Sequence, residues 1–306
     1  MDSRSGEMLV FTKVVESGSF SGAAKLLDLT PSAVSKLITR LEERLGVILF
    51  ERSTRQLAIS TEGVRFYDSC LRILNDIEEA EQDAVGTTVA PSGLLRINVS
   101  VPFGTHLLLP IISEFNRRFS DITLDLSLTD ALVDLKRERI DVAIRMGPLD
   151  DASFRARILG RSRRAVVASP VYLERHGVPQ VPADLVNHRC FNFNFRRSRD
   201  EWPFKVDHHT QYLAVRGDIL TNNGETMRQL TIEGLGISRL GLFHIAHDLK
   251  AGRLVELLGD YNAGDTEEIH AIFSSQRYMP QRVRVFIDFM VERIGPFLGA
   301  IGQGTE

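Results

Sequence analysis

Residues suited to chemistry gather in a few places along the chain. Ser32, Ser35, Lys36, Thr39 and Arg40 follow Pro31 at spacings that share one helical face, with Val34, Leu37, Ile38, Leu41 and Leu45 opposite. Hydroxyls and an amine of that reach can hydrogen-bond base acceptors in a DNA groove, while Arg40, farther along, suits phosphate. Arg52 and Arg55 then sit on a polar segment between two strand-like runs, with charge and reach to hold phosphates beside such a groove. Two later loops, Ser100 to Thr105 and Thr221 to Gly224, read as strand-to-helix turns whose hydroxyl and backbone N–H groups can hold a carboxylate.

Catalytic patterns are missing from the sequence. His208-His209 and His244/His247 lack the glutamate of an HExxH helix, and neither a GxSxG elbow nor a GxxxxGK[ST] phosphate loop occurs. The histidines are therefore expected at the surface or as caps, with no metal site, no cofactor and no catalytic residue. An unrecognised enzyme stands as one alternative. Another is a solute-binding module whose amino terminus serves protein contacts.

The elements needed to position the first group are legible. Met8, Leu9, Phe11, Val14 and Val15 have helical spacing, Ser17 to Ser21 interrupts, and Ala23, Ala24, Leu26 and Leu27 begin a second short helix. Thr30-Pro31 reads as an N-cap followed by proline at the first helical position, and Gly46 ends the third helix. Two helices joined by so tight a turn predict a helix-turn-helix. Val47 to Phe50 and Leu57 to Ile59 around the basic tip predict a wing. The chain's net charge of −3 excludes a general nucleic-acid coat, but residues 31 to 55 carry five basic residues against three acidic ones.

Ser19-Phe20-Ser21-Gly22-Ala23-Ala24, Thr30-Pro31-Ser32-Ala33-Val34-Ser35-Lys36, Leu41-Glu42-Glu43-Arg44-Leu45-Gly46 and Leu49-Phe50-Glu51-Arg52, followed by Thr61-Glu62-Gly63, resemble the LysR-type regulator pattern in order and spacing. Many members of that family read bases with a glutamine where this chain has Pro31, so Ser32, Ser35 and Lys36 inherit more of the readout. Looser blocks continue the resemblance: Tyr172, Asp184-Leu185, His188, Cys190 and Phe191, then Gly234 to Ile237, Ala251 to Leu254 and Arg284 to Phe289.

The resemblance implies a winged helix-turn-helix domain (1–60), a linker helix and hinge (61–90), and an α/β effector domain of two periplasmic-binding-protein-like lobes (91–306). Lobe I would comprise 91–163 and 268–306, lobe II 164–267. It also implies transcriptional activation or repression, control by a small-molecule effector, and a homodimer or homotetramer on an imperfect inverted repeat of double-stranded DNA. RNA polymerase is a further partner it admits.

Spacing supplies the rest. Phe66, Cys70, Ile73, Ile77 and Ala80 form a heptad seam that, with the resemblance, predicts a dimerising helix, while Val64, Tyr67, Leu71 and Leu74 form a second stripe for the winged domain. Strands are expected at 94–99, 122–128 and 140–144, with a short helix between the last two. The effector contacts expected from the two-lobe architecture are Ser100, Phe103, Thr129, Phe193 and Asn222, holding a small organic anion. No stretch approaches the ~20 apolar residues of a membrane span, no export pattern opens the chain, and two distant cysteines make no disulfide framework, so a cytoplasmic protein with no membrane partner is expected.

Overall fold

The computed structural model describes residues 3–52, 57–85, 90–131, 133–135, 137–147, 154–194, 201–274 and 279–302. It divides into two compact units, 1–94 and 95–306.

The first unit is built by its caps and one apolar cluster. Ser3 caps α1 (Arg4–Ser17), Ser19 caps α2 (Phe20–Leu26) and Thr30 caps α3 (Pro31–Leu45), each side-chain oxygen accepting a first-turn N–H. Gly46, at φ 69°, ends α3 in the left-handed region that favours glycine. Val34, Ile38 and Leu41 bury the inner face of α3 against Val10, Phe11, Val14, Ala23 and Ala24. Phe11 lies at the centre, its ring 5.3 Å from that of Phe50 and 5.2 Å from that of Phe66.

The wing hangs from α3 through one carboxylate. Glu42 Oε1 accepts the backbone N–H groups of Leu49 (2.7 Å) and Phe50 (3.1 Å), fixing the start of β1 (Phe50–Arg52), which pairs antiparallel with β2 (Leu57–Ile59). The strand is shorter and later than the run from Val47 suggests, and Ile48 is exposed. Helix α4 (Thr61–Val85) follows. A Cβ on Gly63 would stand 2.3 Å from the Leu49 carbonyl oxygen, which accounts for glycine in the Thr61-Glu62-Gly63 block.

The second unit opens with β3 (Gly93–Val99) and a helical run of α5 (Val101–Phe103), a π-helical turn at Gly104–Leu108 and α6 (Leu109–Arg118). Strands β4 (Ile122–Leu128) and β5 (Val142–Met146) follow, β5 parallel to β3. No helix separates them among the described residues: 137–139 form turns, and Val133, Leu135 and Ile140 pack on Ala143 and Ile272 without a helical stripe.

Strand β6 (Phe154–Ala168), whose apolar Ala165–Ala168 end is the part that the sequence pattern marks, then crosses the unit. Lobe II comprises α7 (Pro170–His176), β7 (Asn192–Phe193), the hairpin β8 (Glu201–Val206) and β9 (His209–Ala214), β10 (Leu220–Thr221), α8 (Gly224–Ile232), β11 (Ser238–Gly241), α9 (Leu242–Lys250) and β12 (Val255–Leu257). The chain returns along β13 (Thr266–Ser274) and closes lobe I with α10 (Gln281–Gly302). The main sheet runs β11-β6-β13-β5-β3-β4, with β12 also on β6. Residues 154–163 of β6 pair with β13, and 164–168 pair with β11 and β12, so one strand serves both lobes. Phe115, Phe286 and Phe289 centre the lobe I core on Ile97, Val99 and Ile144.

Because Glu42 satisfies two amides at once, Glu42→Ala leaves both without that acceptor, an expected loss of about 1–3 kcal/mol in the first unit, while Glu42→Gln retains an acceptor and most of the stability. Hydrogen exchange at Leu49 and Phe50 checks this; unchanged protection in Glu42→Ala would remove Glu42 as the wing's anchor.

Candidate functional site

On α3 the outer face carries Ser32, Ser35, Lys36, Thr39 and Arg40, with Pro31, Ser32, Lys36 and Arg40 exposed and Ser35 and Thr39 half-buried. Ser32 is 3.1 Å from the capping Thr30 hydroxyl. Arg40 has a second engagement that spacing does not reveal: its Nε lies 3.6 Å from the nearly buried Glu7 carboxylate, whose other oxygen takes two N–H bonds from Arg44 (3.0 and 2.7 Å). Buried charges need such partners. Arg40 thus helps hold α1 to α3 besides facing outward. The backbone of Arg52 lies in β1; its side chain and all of Arg55 lie outside the described residues.

The expected seam on α4 is corrected at Cys70. Cys70 is fully buried in the core of the first unit, and burial pushes its thiol up to about 12; Phe66 packs on Phe11. The Cys70 side chain has no face for a second chain, while Phe66 is half-buried. Two apolar stripes compete on this helix, and the Phe11 ring, wide enough to reach both Phe66 and Tyr67 (6.4 Å), draws their edges inward together. Ile73 and Ile77 are exposed, as is Val64 from the other stripe. The Ala80 side chain lies outside the described residues.

The expected effector residues do not share one lining. Phe103 is fully buried, its ring 6.1 Å from Phe243 of α9, and belongs to the core where the lobes meet. It offers no surface to a ligand, because the chain turns into α5 immediately after β3 and directs this ring inward. Phe193 is half-buried and lines a cavity of about 480 Å³ within lobe II, with Arg164, Trp202, Tyr212, Met227 and Arg239. Asn222 is exposed and accepts from the Asn223 side chain (3.1 Å), while Asn223 caps α8.

Ser100 and Thr129 stand at the end of lobe I's strands, beside a polar group that spacing missed. Asp130 Oδ1 accepts the Val101 N–H (3.2 Å), and Arg145 Nη2 donates to Asn98 Oδ1 (2.5 Å). Ser100 Oγ, Asn98 Nδ2 and Asp130 Oδ2 are buried and make no hydrogen bond among the described residues. Burial pushes the Asp130 carboxyl up, against the Val101 and Gly224 N–H groups and the Arg145 charge; burial likewise lowers Arg145. Gly224 opens α8 of lobe II, so Asp130 stands where the two lobes face each other. Only its position next to Thr129 signals it in the sequence.

A second missed group corrects the expectation of surface or capping histidines. His106 Nε2, in the π-helical turn of lobe I, and His244 Nε2, buried on α9 of lobe II, each lie 2.8 Å from Glu225 Oε2. Hydrogen bonds from His106 and then His244 hold the Glu225 carboxyl well below the usual carboxylate range, and burial lowers the His244 imidazole. His106 and Glu225 are 119 residues apart, so no local motif marks them.

Among the described residues no helix is long and apolar enough to cross a membrane. Residues 6–64 match the bacterial regulatory helix-turn-helix proteins of the lysR family, and residues 89–295 match the LysR substrate binding domain. The HTH-type transcriptional regulator CrgA of Neisseria meningitidis serogroup C (strain 8013) is 38% identical over 303 residues, covering 96% of this chain and 98% of the relative. The structure of CrgA, a LysR-type transcriptional regulator from Neisseria meningitidis, superposes with a TM-score of 0.65 at 37% identity, covering 96% of this chain and 100% of that one. Full-length AphB, a Vibrio cholerae virulence activator, does so with a TM-score of 0.59 at 26% identity over 95% of this chain and 99% of that one. These relatives are transcriptional regulators, not enzymes, and the match spans both the helix-turn-helix and the two-lobed α/β domain. The chain belongs to the LysR family of bacterial helix-turn-helix transcriptional regulators.

Proposed function

We propose that this regulator reads an imperfect inverted repeat in a promoter with the outer face of α3, as at least a dimer, and answers to a small organic anion held between its lobes. The observation that carries the DNA reading is the division of α3: Val34, Ile38 and Leu41 are wholly buried, while Ser32, Lys36 and Arg40 stand exposed on the opposite face behind a Thr30 cap. A helix held so firmly on one side presents its amino-terminal residues to base edges without a change of shape. Ser35 and Lys36 take the base contacts, and the wing, with Arg52 and Arg55, the phosphates.

Pairing is supported by Ile73 and Ile77, exposed one helical turn apart on α4 and of a kind that single surface helices rarely leave to water. Two heads on one dimer fit half-sites about one turn of DNA apart, or a multiple of it. The effector reading rests on Ser100 Oγ, Asn98 Nδ2 and Asp130 Oδ2, buried polar atoms without a hydrogen-bond partner among the described residues. Ser100 and Asn98 are donors for an anionic group, whereas Asp130 accepts, so the anion carries a hydroxyl or amine as well. The hinge lies near 163 and 268, where β6 changes partners.

Two outcomes are expected. Ile73→Asp with Ile77→Asp weakens self-association in sedimentation; a wild-type monomer at micromolar concentration would contradict the pairing. Ser100→Ala reduces the effector response in reporter assays at least several-fold and leaves basal operator affinity nearly unchanged. A bound effector remote from Ser100 and Asp130 would displace the site.

Lys36→Ala is expected to cost about 1–3 kcal/mol on the operator and to narrow the gap between operator and random DNA. Arg52→Ala should weaken both alike and lower the salt dependence by roughly one counterion. Salt-dependent gel shifts of the two variants separate base reading from phosphate gripping, and equal loss of specificity from both would refute this division.

A further inference from the structure

We propose that His106, Glu225 and His244 form a binding site for one divalent transition-metal ion of the zinc type, which ties lobe I to lobe II. Their three donor atoms, His106 Nε2, Glu225 Oε2 and His244 Nε2, lie within 4.8 Å of one another. His106 comes from the π-helical turn of lobe I, Glu225 from the first turn of α8, and His244 from α9. Such turns are uncommon inside helices and often re-aim a residue at a functional site. Here the turn brings the His106 ring to 5.0 Å, centre to centre, from that of His244.

The donor set selects the ion. Two imidazole nitrogens and one carboxylate oxygen suit zinc, cobalt, nickel or copper, whereas calcium and magnesium take oxygen ligands. Zinc–ligand bonds of about 2.0–2.2 Å place the ligand atoms of a tetrahedron roughly 3.3 Å apart. The two 2.8 Å separations in the cluster therefore need to widen by only about half an ångström on that geometry. Without metal, each imidazole donates Nε2–H to the same carboxylate oxygen. With metal, each ring carries its proton on Nδ1, the Nε2 lone pairs and Oε2 turn to the cation, and the rings remain neutral. Burial favours the neutral imidazole of His244. Three protein ligands leave a fourth position to water.

The surroundings are built to hold the carboxylate still. Glu225 Oε1 accepts from Arg228 Nη1 (2.8 Å), and Arg228 is clamped by the fully buried Asp248 through Nε (2.6 Å) and Nη2 (2.8 Å). Asp248 also takes a bond from Arg253 Nε (2.7 Å). Outer contacts of this kind orient metal ligands. Because Arg228 shares its charge with Asp248, Glu225 keeps a negative oxygen facing the imidazoles. Ser100, Asn98 and Asp130 are not ligands, so the metal site stands or falls apart from the effector reading.

The test uses the untagged full-length protein, stripped with chelator and titrated with Co²⁺ by visible absorption and with Zn²⁺ by equilibrium dialysis. The expected result is one ion per chain with a tetrahedral cobalt spectrum, and metal raises the melting temperature of the wild type. His106→Ala and Glu225→Gln should each weaken binding at least tenfold and abolish that rise. His106 is partly exposed, so its variant avoids the packing loss of a buried His244 substitution. His208→Ala with His209→Ala, an exposed pair on the β8–β9 hairpin, should leave binding unchanged. Absence of stoichiometric binding, or binding insensitive to His106→Ala, or binding lost only with His208 and His209, would overturn the site and leave a plain hydrogen-bonded link between the lobes. Operator binding by the metal-free protein is measured alongside, so a failure of the regulator reading is seen separately.

Discussion

The antiparallel ladder between β6 and β13 is the constraint on which the effector unit is built. It runs from Arg163 opposite Thr266 to Phe154 opposite Ser274, with a register irregularity between Ile269 and His270. The same β6 then continues into lobe II between β11 and β12, so the lobes share a strand instead of meeting through a loose tether. Separating them means breaking backbone hydrogen bonds in both; twisting about the change of partners near 163 breaks few. Gly160 admits α10 against this ladder: a Cβ there would stand 2.6 Å from that of Leu298. The ladder therefore sets both where the lobes turn and what covers them.

That ladder is also the part least legible in the sequence. From Phe154 to Arg164 the chain alternates poorly and carries five arginines, so no strand periodicity marks it. Its pairs form across strands instead: Arg161 with Glu268, Arg163 with Glu256 and Arg164 with Glu267. Charged cross-strand partners let a strand lie at the surface with few apolar residues. By contrast, α3 is legible in full, because Thr30, Pro31, Gly46 and the Val34/Ile38/Leu41 stripe state its start, end and inner face locally. The heptad on α4 was legible as periodicity, but periodicity alone does not say which stripe faces home; Phe11 decides that from another helix.

The polar groups between the lobes escape sequence reading for a different reason. Asn98, Asp130 and Arg145 lie on separate strands or strand ends, and His106, Glu225 and His244 on three separate helical turns, so only the fold makes them neighbours. Their cost explains their surroundings. A buried polar atom with no partner loses about 1–3 kcal/mol. The lobe I core around Ile97, Val99 and Ile144 supplies apolar contacts on the same strands. Among the described residues, Asn98 Nδ2, Ser100 Oγ and Asp130 Oδ2 are buried without a hydrogen-bond partner at the ends of these strands, on the side where Asp130 faces Gly224 of the other lobe.

The contact between the lobes thus has two unlike halves. Phe103 against Phe243 is apolar, and its attraction varies little with small rotations of the rings. The carboxylate of Glu225 between His106 and His244 is directional and is pinned from behind by Arg228 and Asp248, so a small twist lengthens both of its bonds at once. Asp130, facing Gly224 one residue before Glu225, feels the same displacement. On the proposed effector reading, a ligand that satisfies Asp130 and Ser100 acts on the amino-terminal turn of α8, which also carries Glu225. The apolar half tolerates small changes of angle that the polar half does not, so of the two it is the polar half that favours one arrangement of the lobes over its neighbours.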